Sequence, residues 1–319
     1  MSQKPENTVV LGDNMEVLPH LGDATVQLAY LDPPFNTGST QTRRTLSVIS
    51  EASTSPATPP SASPATPPRG DRTGFGGRRY RTTQTGRLDY PDAFDDYPGF
   101  LRPRLEQVHR LLHGSGTLYL HLDWREAHRC KLLLDEIFGP ECFLNEIVWA
   151  YDYGGRARDR WPAKHDTVLV YVKTAGAHFF DQDAIERIPY MAPGLVTPEK
   201  AARGKLPTDV WWHTIVGTRS AEKTGYPTQK PEGVLRRIVA ASSRPGDVVL
   251  DCFAGSGTTG AVAAALGRRF VLVDENPEAV RVIRTRLEAT RAAARTAYLH
   301  PDGTPLDRTD APATTPRDY

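Results

Sequence analysis

The stretch from Asp247 to Asp274 constrains the fold more than any other part of the chain. Val248-Val249-Leu250 reads as a short apolar strand, and Asp251-Cys252-Phe253-Ala254-Gly255-Ser256-Gly257 as a glycine-rich turn. Thr258 to Leu266 then predicts a helix stopped by Gly267, and Phe270-Val271-Leu272-Val273 a second strand ending in Asp274. Asp274 lies 23 residues after Asp251. Strand, glycine turn, helix, strand and acid in that order build a nucleoside-binding half of an α/β sheet, in which glycines let a ligand approach the backbone and the second acid takes ribose hydroxyls. The turn lacks the Gly-x-Gly-x-x-Gly spacing of dinucleotide binders, and the chain has no Gly-Lys-Ser/Thr phosphate loop. A nucleoside ligand without a pyrophosphate fits this pattern best.

Far upstream, the apolar run Val26 to Leu31 ends in Asp32-Pro33-Pro34-Phe35. Open α/β sheets place their chemistry at the carboxyl ends of strands. Two prolines fix φ and remove two N–H groups, so a carboxylate, a carbonyl and an aromatic ring sit on one stiff arm. Such an arm suits a flat ring bearing an amino group. Phe35 stacks on its face while Asp32 and the Pro33 carbonyl accept its N–H bonds.

Between these two segments the pattern repeats helix and buried strand. Phe100 to Leu112 has helical apolar spacing, Gly114-Ser115-Gly116 breaks it, and Thr117 to Leu122 reads as a strand. Arg125 to Phe138 predicts another helix, and residues 145–149 and 167–172 two more strands. The expected fold is α/β, with a doubly wound, mostly parallel sheet. The loop between the last two strands carries Arg156, Arg158, Arg160 and Lys164 among tyrosines and Trp161. Cations for phosphates beside rings for bases make it the candidate DNA-facing element, with a solvated hairpin loop as the bland alternative.

At 319 residues and 39% hydrophobic content, the chain is long enough for one substantial core. Residues 39–88 interrupt it with two near copies of Ser-Pro-Ala-Thr-Pro-Pro at 55–60 and 63–68, among many arginines. That composition predicts a disordered insertion, and a polar, disordered tail is expected over 296–319. The formal net charge is +1, so any nucleic-acid affinity has to come from local patches. Cys130, Cys142 and Cys252 have no metal-binding spacing and are expected to be buried apolar residues. The chain has no apolar run of roughly 18 residues and no signal-like start, which predicts a cytoplasmic protein without membrane contact.

Taken together, these segments resemble the S-adenosylmethionine-dependent amino-methyltransferases of DNA. Asp32-Pro33-Pro34-Phe35-Asn36-Thr37-Gly38 is similar to the family's catalytic motif, with Phe35 where Tyr is commoner. Asp251 to Thr258 is similar to its cofactor loop. Tyr226-Pro227-Thr228-Gln229-Lys230-Pro231 resembles its His-Pro-Thr-Gln-Lys-Pro stretch, with Tyr for His. The catalytic motif precedes the cofactor loop, the order of the circularly permuted beta group.

The resemblance implies a Rossmann-like methyltransferase fold divided into 1–38, 89–173 and 226–295, with a target-recognition region at 174–225. It implies Asp32, Pro33, Pro34 and Phe35 as catalytic. S-adenosylmethionine would be held by Asp13, Asp251, Phe253, Ala254, Gly255, Ser256, Gly257, Thr258 and Asp274, with Lys230 closing its pocket, and no metal is required. The implied reaction is N6-methylation of a flipped adenine in double-stranded DNA. N4-methylation of cytosine, and a modification subunit that acts only with a partner nuclease or specificity protein, stay open, as does a homodimer. Within 174–225 the pair Trp211-Trp212 favours core anchors over DNA contacts.

Overall fold

The computed structural model describes residues 6–38, 92–154, 156–217, 219–288 and 290–307, and the backbone of the strands at 41–50, 71–73 and 79–90. The chain divides into two compact units, residues 1–36 with 94–319, and residues 37–93.

The larger unit begins with β1 (Asn7–Leu11), α1 (Asn14–Val17) and β2 (Val26–Leu31). The smaller unit contributes β3 (Gln41–Ser50), β4 (Asp71–Thr73) and β5 (Arg79–Tyr90). The larger unit resumes with α2 (Tyr97–Leu111), β6 (Leu112–Leu122), α3 (Ala127–Phe138), β7 (Phe143–Ala150) and β8 (His165–Val172). It continues through α4 (Pro198–Arg203), β9 (Val210–Trp212), α5 (Glu232–Ser242), β10 (Val248–Asp251) and α6 (Thr258–Ala265). It ends with β11 (Arg269–Asp274), α7 (Pro277–Glu288) and β12 (Thr296–Leu299).

Nine strands of the larger unit form one sheet in the order β12-β1-β11-β10-β2-β6-β8-β7-β9. From β12 to β6 every neighbour is parallel, while β8 runs antiparallel to both β6 and β7. Both faces of the sheet are covered. Leu101, Leu105, Val108 and Leu111 of α2 and Leu133 and Leu134 of α3 join one core cluster, and Val234, Leu235 and Ile238 of α5 and Val280 and Ile283 of α7 join the other. That is why β2, covered on both faces, reads as a mostly apolar run, broken only by the buried Gln27. This is the Rossmann-like, doubly wound architecture that the sequence predicts.

The key consequence is the adjacency of β2 and β10. They pair in parallel, with Val249 opposite Leu28 and Leu250 opposite Ala29. Their carboxyl ends, Asp32 on one and the glycine turn on the other, therefore emerge side by side although some 220 residues of sequence separate them.

Two differences from the sequence expectation stand out. Within 39–88, where a disordered insertion is expected, the backbone of β3, β5 and β4 forms an antiparallel three-stranded sheet in that order. Thr-rich, Arg-rich segments such as 79–87 have good strand propensity, which the Pro-rich composition of the whole stretch concealed. The two Ser-Pro-Ala-Thr-Pro-Pro copies lie outside the described residues. Similarly, the tail expected to be disordered from 296 begins with β12, which extends the sheet beside β1; residues 308–319 lie outside the described residues.

Candidate active site

Asp32 follows the last residue of β2 on a segment tied down from several sides. The Tyr97 hydroxyl donates to the Pro34 carbonyl at 2.6 Å. Asn36 has φ of 55°, a left-handed conformation that Asn tolerates, and its Nδ2 donates to Glu126 Oε1 at 2.7 Å. Its Oδ1 accepts from the Phe94 N–H at 2.8 Å. Prolines stiffen the arm from within and these bonds anchor it from without.

The Asp32 carboxylate has a partner that the sequence did not point to. Lys230 Nζ donates to Oδ1 at 2.7 Å and to Oδ2 at 2.6 Å, with the two side chains 17% and 10% exposed for Asp32 and Lys230. The same ammonium lies 4.8 Å from the centre of the Phe35 ring. Lys230, expected at the cofactor pocket, thus reaches the carboxylate and ring of the other motif. Its carbonyl accepts from Thr258 Oγ1 at 3.1 Å, so residue 230 bridges both motifs.

On the neighbouring strand, Asp251 is buried. Its Oδ1 accepts from the Phe253 N–H at 3.0 Å and its Oδ2 from the Thr259 hydroxyl at 2.6 Å. Both oxygens hold the turn, so Asp251 supports the site from beneath. Burial pushes its carboxyl up to about 7, against the pull of those two bonds and with help from the charges of Asp32 and Asp274.

Gly255 and Gly257 have φ of 50° and 70°, where a side chain is strained. A Cβ on Gly257 would lie 2.6 Å from Ile283 Cγ1, and one on Gly255 would lie 3.4 Å from the Tyr226 ring. Ala254 donates to the Val273 carbonyl at 3.1 Å. Ser256 and Thr258 are buried with their hydroxyls 3.1 Å apart, and Arg286 Nη1 donates to Thr258 Oγ1 at 3.0 Å. Phe253 is half-buried, its ring 6.2 Å from that of Phe100.

Asp274 closes the group. Its Oδ2 accepts from the Gly255 N–H at 2.7 Å and its Oδ1 from the Asn276 N–H at 2.9 Å, and each oxygen retains a lone pair. Burial raises its carboxyl to about 6. Asp13 follows β1, whose Leu11 is opposite Asp274, and it caps α1 by accepting from the Met15 N–H at 2.8 Å. Next to it, Asn14 Nδ2 donates to the Cys252 carbonyl at 3.0 Å and Asn14 Oδ1 accepts from Arg104 at 2.7 Å. Four strand ends in a row therefore present two acids, Asp13 and Asp274, a turn with glycine at 255 and 257, and then Asp32 with Phe35. A nucleoside with vicinal hydroxyls fits the acid and the glycine backbone. Asp32, Lys230 and Phe35 fit a flat, amino-bearing ring.

Arg156, Arg158 and Arg160 are exposed on the connection from β7 to β8, as is Trp161. Lys164 is half-buried, and its ammonium donates to the Gly154 carbonyl at 3.2 Å. The tryptophan pair splits. Trp211 is core and donates to the Thr208 carbonyl at 2.7 Å, whereas Trp212 is 76% exposed. Alternation along β9 explains it, since neighbours on a strand face opposite sides.

Comparison with known proteins shows what this chain is similar to. DNA adenine methyltransferase YhdJ of Escherichia coli (strain K12) is 35% identical over 192 residues, 58% of this chain and 64% of that protein. Type II methyltransferase M.HpaI of Haemophilus parainfluenzae is 32% identical over 197 residues, 61% of each chain. The chain thus spans just under two thirds of the length of these two relatives. Type II methyltransferase M2.DpnII of Streptococcus pneumoniae is 50% identical over 219 residues, 64% of this chain and 72% of that one. The fold is shared with PvuII DNA methyltransferase (cytosine-N4-specific), at a TM-score of 0.57 and 16% identity over 89% of this chain and 88% of that one. It is shared too with the M1.HpyAVI–SAM complex, at 0.52 and 17% identity over 88% and 98%. The family model described as DNA methylase, of the N6/N4 type, matches residues 26–285, from β2 through the glycine turn and Asp274, and the chain belongs to that family.

Proposed function

We propose that this protein transfers a methyl group from S-adenosylmethionine to the exocyclic amino group of adenine in double-stranded DNA, giving N6-methyladenine, as a circularly permuted beta-group enzyme. The observation that carries the reading is the convergence of Asp32-Pro33-Pro34-Phe35 and the Gly255–Gly257 turn at the ends of two adjacent parallel strands, within a chain of the DNA methylase family.

When bound, S-adenosylmethionine supplies an electrophilic methyl on a sulfonium. The chain supplies position and electrostatics. An aromatic amine is a poor nucleophile because its lone pair is delocalised into the ring. Asp32 and the Pro33 carbonyl accept its N–H bonds and so favour a pyramidal nitrogen, and Asp32 stands by for the proton the nitrogen sheds. Phe35 stacks on the base, which has to be flipped out of the duplex to reach it. Asp274 takes the ribose hydroxyls, Asp13 the adenine of the cofactor, and Phe253 to Thr258 its methionine end. Arg156, Arg158, Arg160 and Lys164 hold DNA phosphates. The proposed enzyme is a cytoplasmic one of a restriction-modification system; no helix among the described residues is long and apolar enough to cross a membrane.

Expression in a methylation-deficient host, with mass spectrometry of nucleosides from digested host DNA, tests this directly. N6-methyladenine with the native chain and none with Asp32→Ala is the expected result. N4-methylcytosine would retain the mechanism and overturn the base. No modified base from folded protein would overturn the isolated enzyme in favour of one that needs a nuclease or specificity partner.

A further inference from the structure

The strands that present Asp32 also bury a polar row which the proposed chemistry leaves unused. Tyr30 of β2, His121 of β6 and Asp166 of β8 lie on three successive strands of the sheet, and Tyr151 follows the end of the next one, β7. The Tyr30 hydroxyl lies 2.7 Å from His121 Nδ1, His121 Nε2 lies 3.0 Å from Asp166 Oδ2, and the Tyr151 hydroxyl donates to Asp166 Oδ1 at 2.9 Å. Tyr30, His121 and Asp166 are 2%, 0% and 7% exposed. An ionised carboxylate only accepts, so His121 donates from Nε2 to Asp166. Burial works to raise the Asp166 carboxyl, but the His121 bond, the Lys230 charge and the Tyr151 hydroxyl together hold it below the usual range.

Such a row is a poor way to stabilise a core, because apolar residues of similar volume do as well or better. What a fully satisfied buried network does provide is fixed geometry. Tyr30 lies two residues before Asp32 on the strand that leads to it, and Lys230, which binds the Asp32 carboxylate, also acts by its charge on Asp166. The Phe35 ring stacks on His121 with centres 5.9 Å apart and planes 30° from parallel, and Trp149 meets His121 edge-on at 5.5 Å.

We infer that His121, held between Asp166 and Tyr30, is a positioning residue that fixes the plane of the Phe35 ring and with it the platform on which the target base stacks. The inference rests on the methyltransferase reading, and one arm of its test does not.

The triple replacement Tyr30→Phe/His121→Leu/Asp166→Leu removes the Tyr30–His121–Asp166 bonds and roughly keeps their volume, leaving of the row the hydroxyl of the half-buried Tyr151. Placing 4-fluorophenylalanine at position 35 reports on the ring by fluorine NMR without any methyl transfer. A single sharp resonance in the native background, and several or exchange-broadened ones in the triple variant, is the expected result; an unchanged sharp line overturns the inference. With tritiated S-adenosylmethionine and unmethylated bacterial DNA, the triple variant should lose about tenfold or more in single-turnover rate, the scale of effect for sub-ångström misplacement. Cofactor Kd and Tm should hold. In a Phe35→Ala background the same replacement should alter the rate less than about twofold, because coupled sites are non-additive. Equal losses in both backgrounds would overturn the inference. If the triple variant does not fold, Tyr30→Phe alone carries the same comparisons, with a loss of about threefold expected for one hydrogen bond. Failure of the native chain to methylate DNA would count against the methyltransferase reading and leave the fluorine result to decide this one.

Discussion

Asp251→Asn offers a sharp test of how the glycine turn is held. The acid is buried, and its carboxyl sits at about 7 against an ordinary 3.8, chiefly because burial disfavours the charge. The native state therefore binds this proton more tightly than the unfolded chain does. The resulting stability is fully present below pH 3.8 and is lost as pH rises through 7. Each pH unit in that window costs about 1.4 kcal/mol. Asparagine has no such charge. Its amide oxygen still accepts from the Phe253 N–H, and the Thr259 hydroxyl turns to accept from the amide nitrogen. Two units of the window lie between pH 5 and pH 7, so the advantage of the variant over the native protein should grow by about 3 kcal/mol between pH 5 and pH 8. For a unit of this size that is a relative gain of roughly 6 °C in Tm. Thermal unfolding of both proteins at pH 5, 6, 7 and 8 measures it, since groups common to both cancel in the difference. A Tm difference that stays flat over this range would refute the reasoning.

Lys230→Met removes the ammonium from both oxygens of Asp32 and keeps the length of the side chain. Loss of charge-assisted bonds in a mostly buried pair predicts a kcat lower by roughly 10- to 100-fold, with cofactor Kd within about threefold, read by tritium transfer and by calorimetric titration; an unchanged kcat with a collapsed cofactor affinity would return Lys230 to the cofactor pocket. Asp274 sits at about 6, and its ionised form is the better acceptor for two hydroxyls, so cofactor binding should tighten as pH rises from 5 to 7 and lose that dependence in Asp274→Asn. Arg158→Ala and Arg160→Ala should each reduce the slope of log Kd for duplex DNA against log salt concentration by about 0.9, the effect of one phosphate contact, and unchanged slopes would assign the loop to solvent.

Much of this molecule is written in local patterns. Val26 to Leu31 and Val248 to Leu250 read as strands because they are mostly apolar on both faces, and Gly257 precedes α6 because the turn needs a positive φ. Interactions that depend on sheet order are not legible in the same way. Lys230 follows a turn 198 residues from Asp32, and only the parallel pairing of β2 with β10 brings its neighbourhood to that carboxylate. His121 is the one histidine in the apolar run from Thr117 to Leu122, and nothing in that run distinguishes it from a satisfied core residue. Asp251 looks, from its place in a glycine-rich turn, like a ligand contact, yet its two oxygens are committed to Phe253 and Thr259. These three residues share one physical role. Each applies a buried or half-buried charge or dipole to a group that faces the pocket: Lys230 to Asp32, His121 to Phe35, Asp251 to the Gly255 turn. Local sequence specifies which groups point into the pocket, and long-range strand order specifies what holds them there. Substitutions in the second set should therefore change rate or stability while leaving the motifs intact, which makes a preserved Asp32-Pro33-Pro34-Phe35 insufficient by itself to specify an active enzyme.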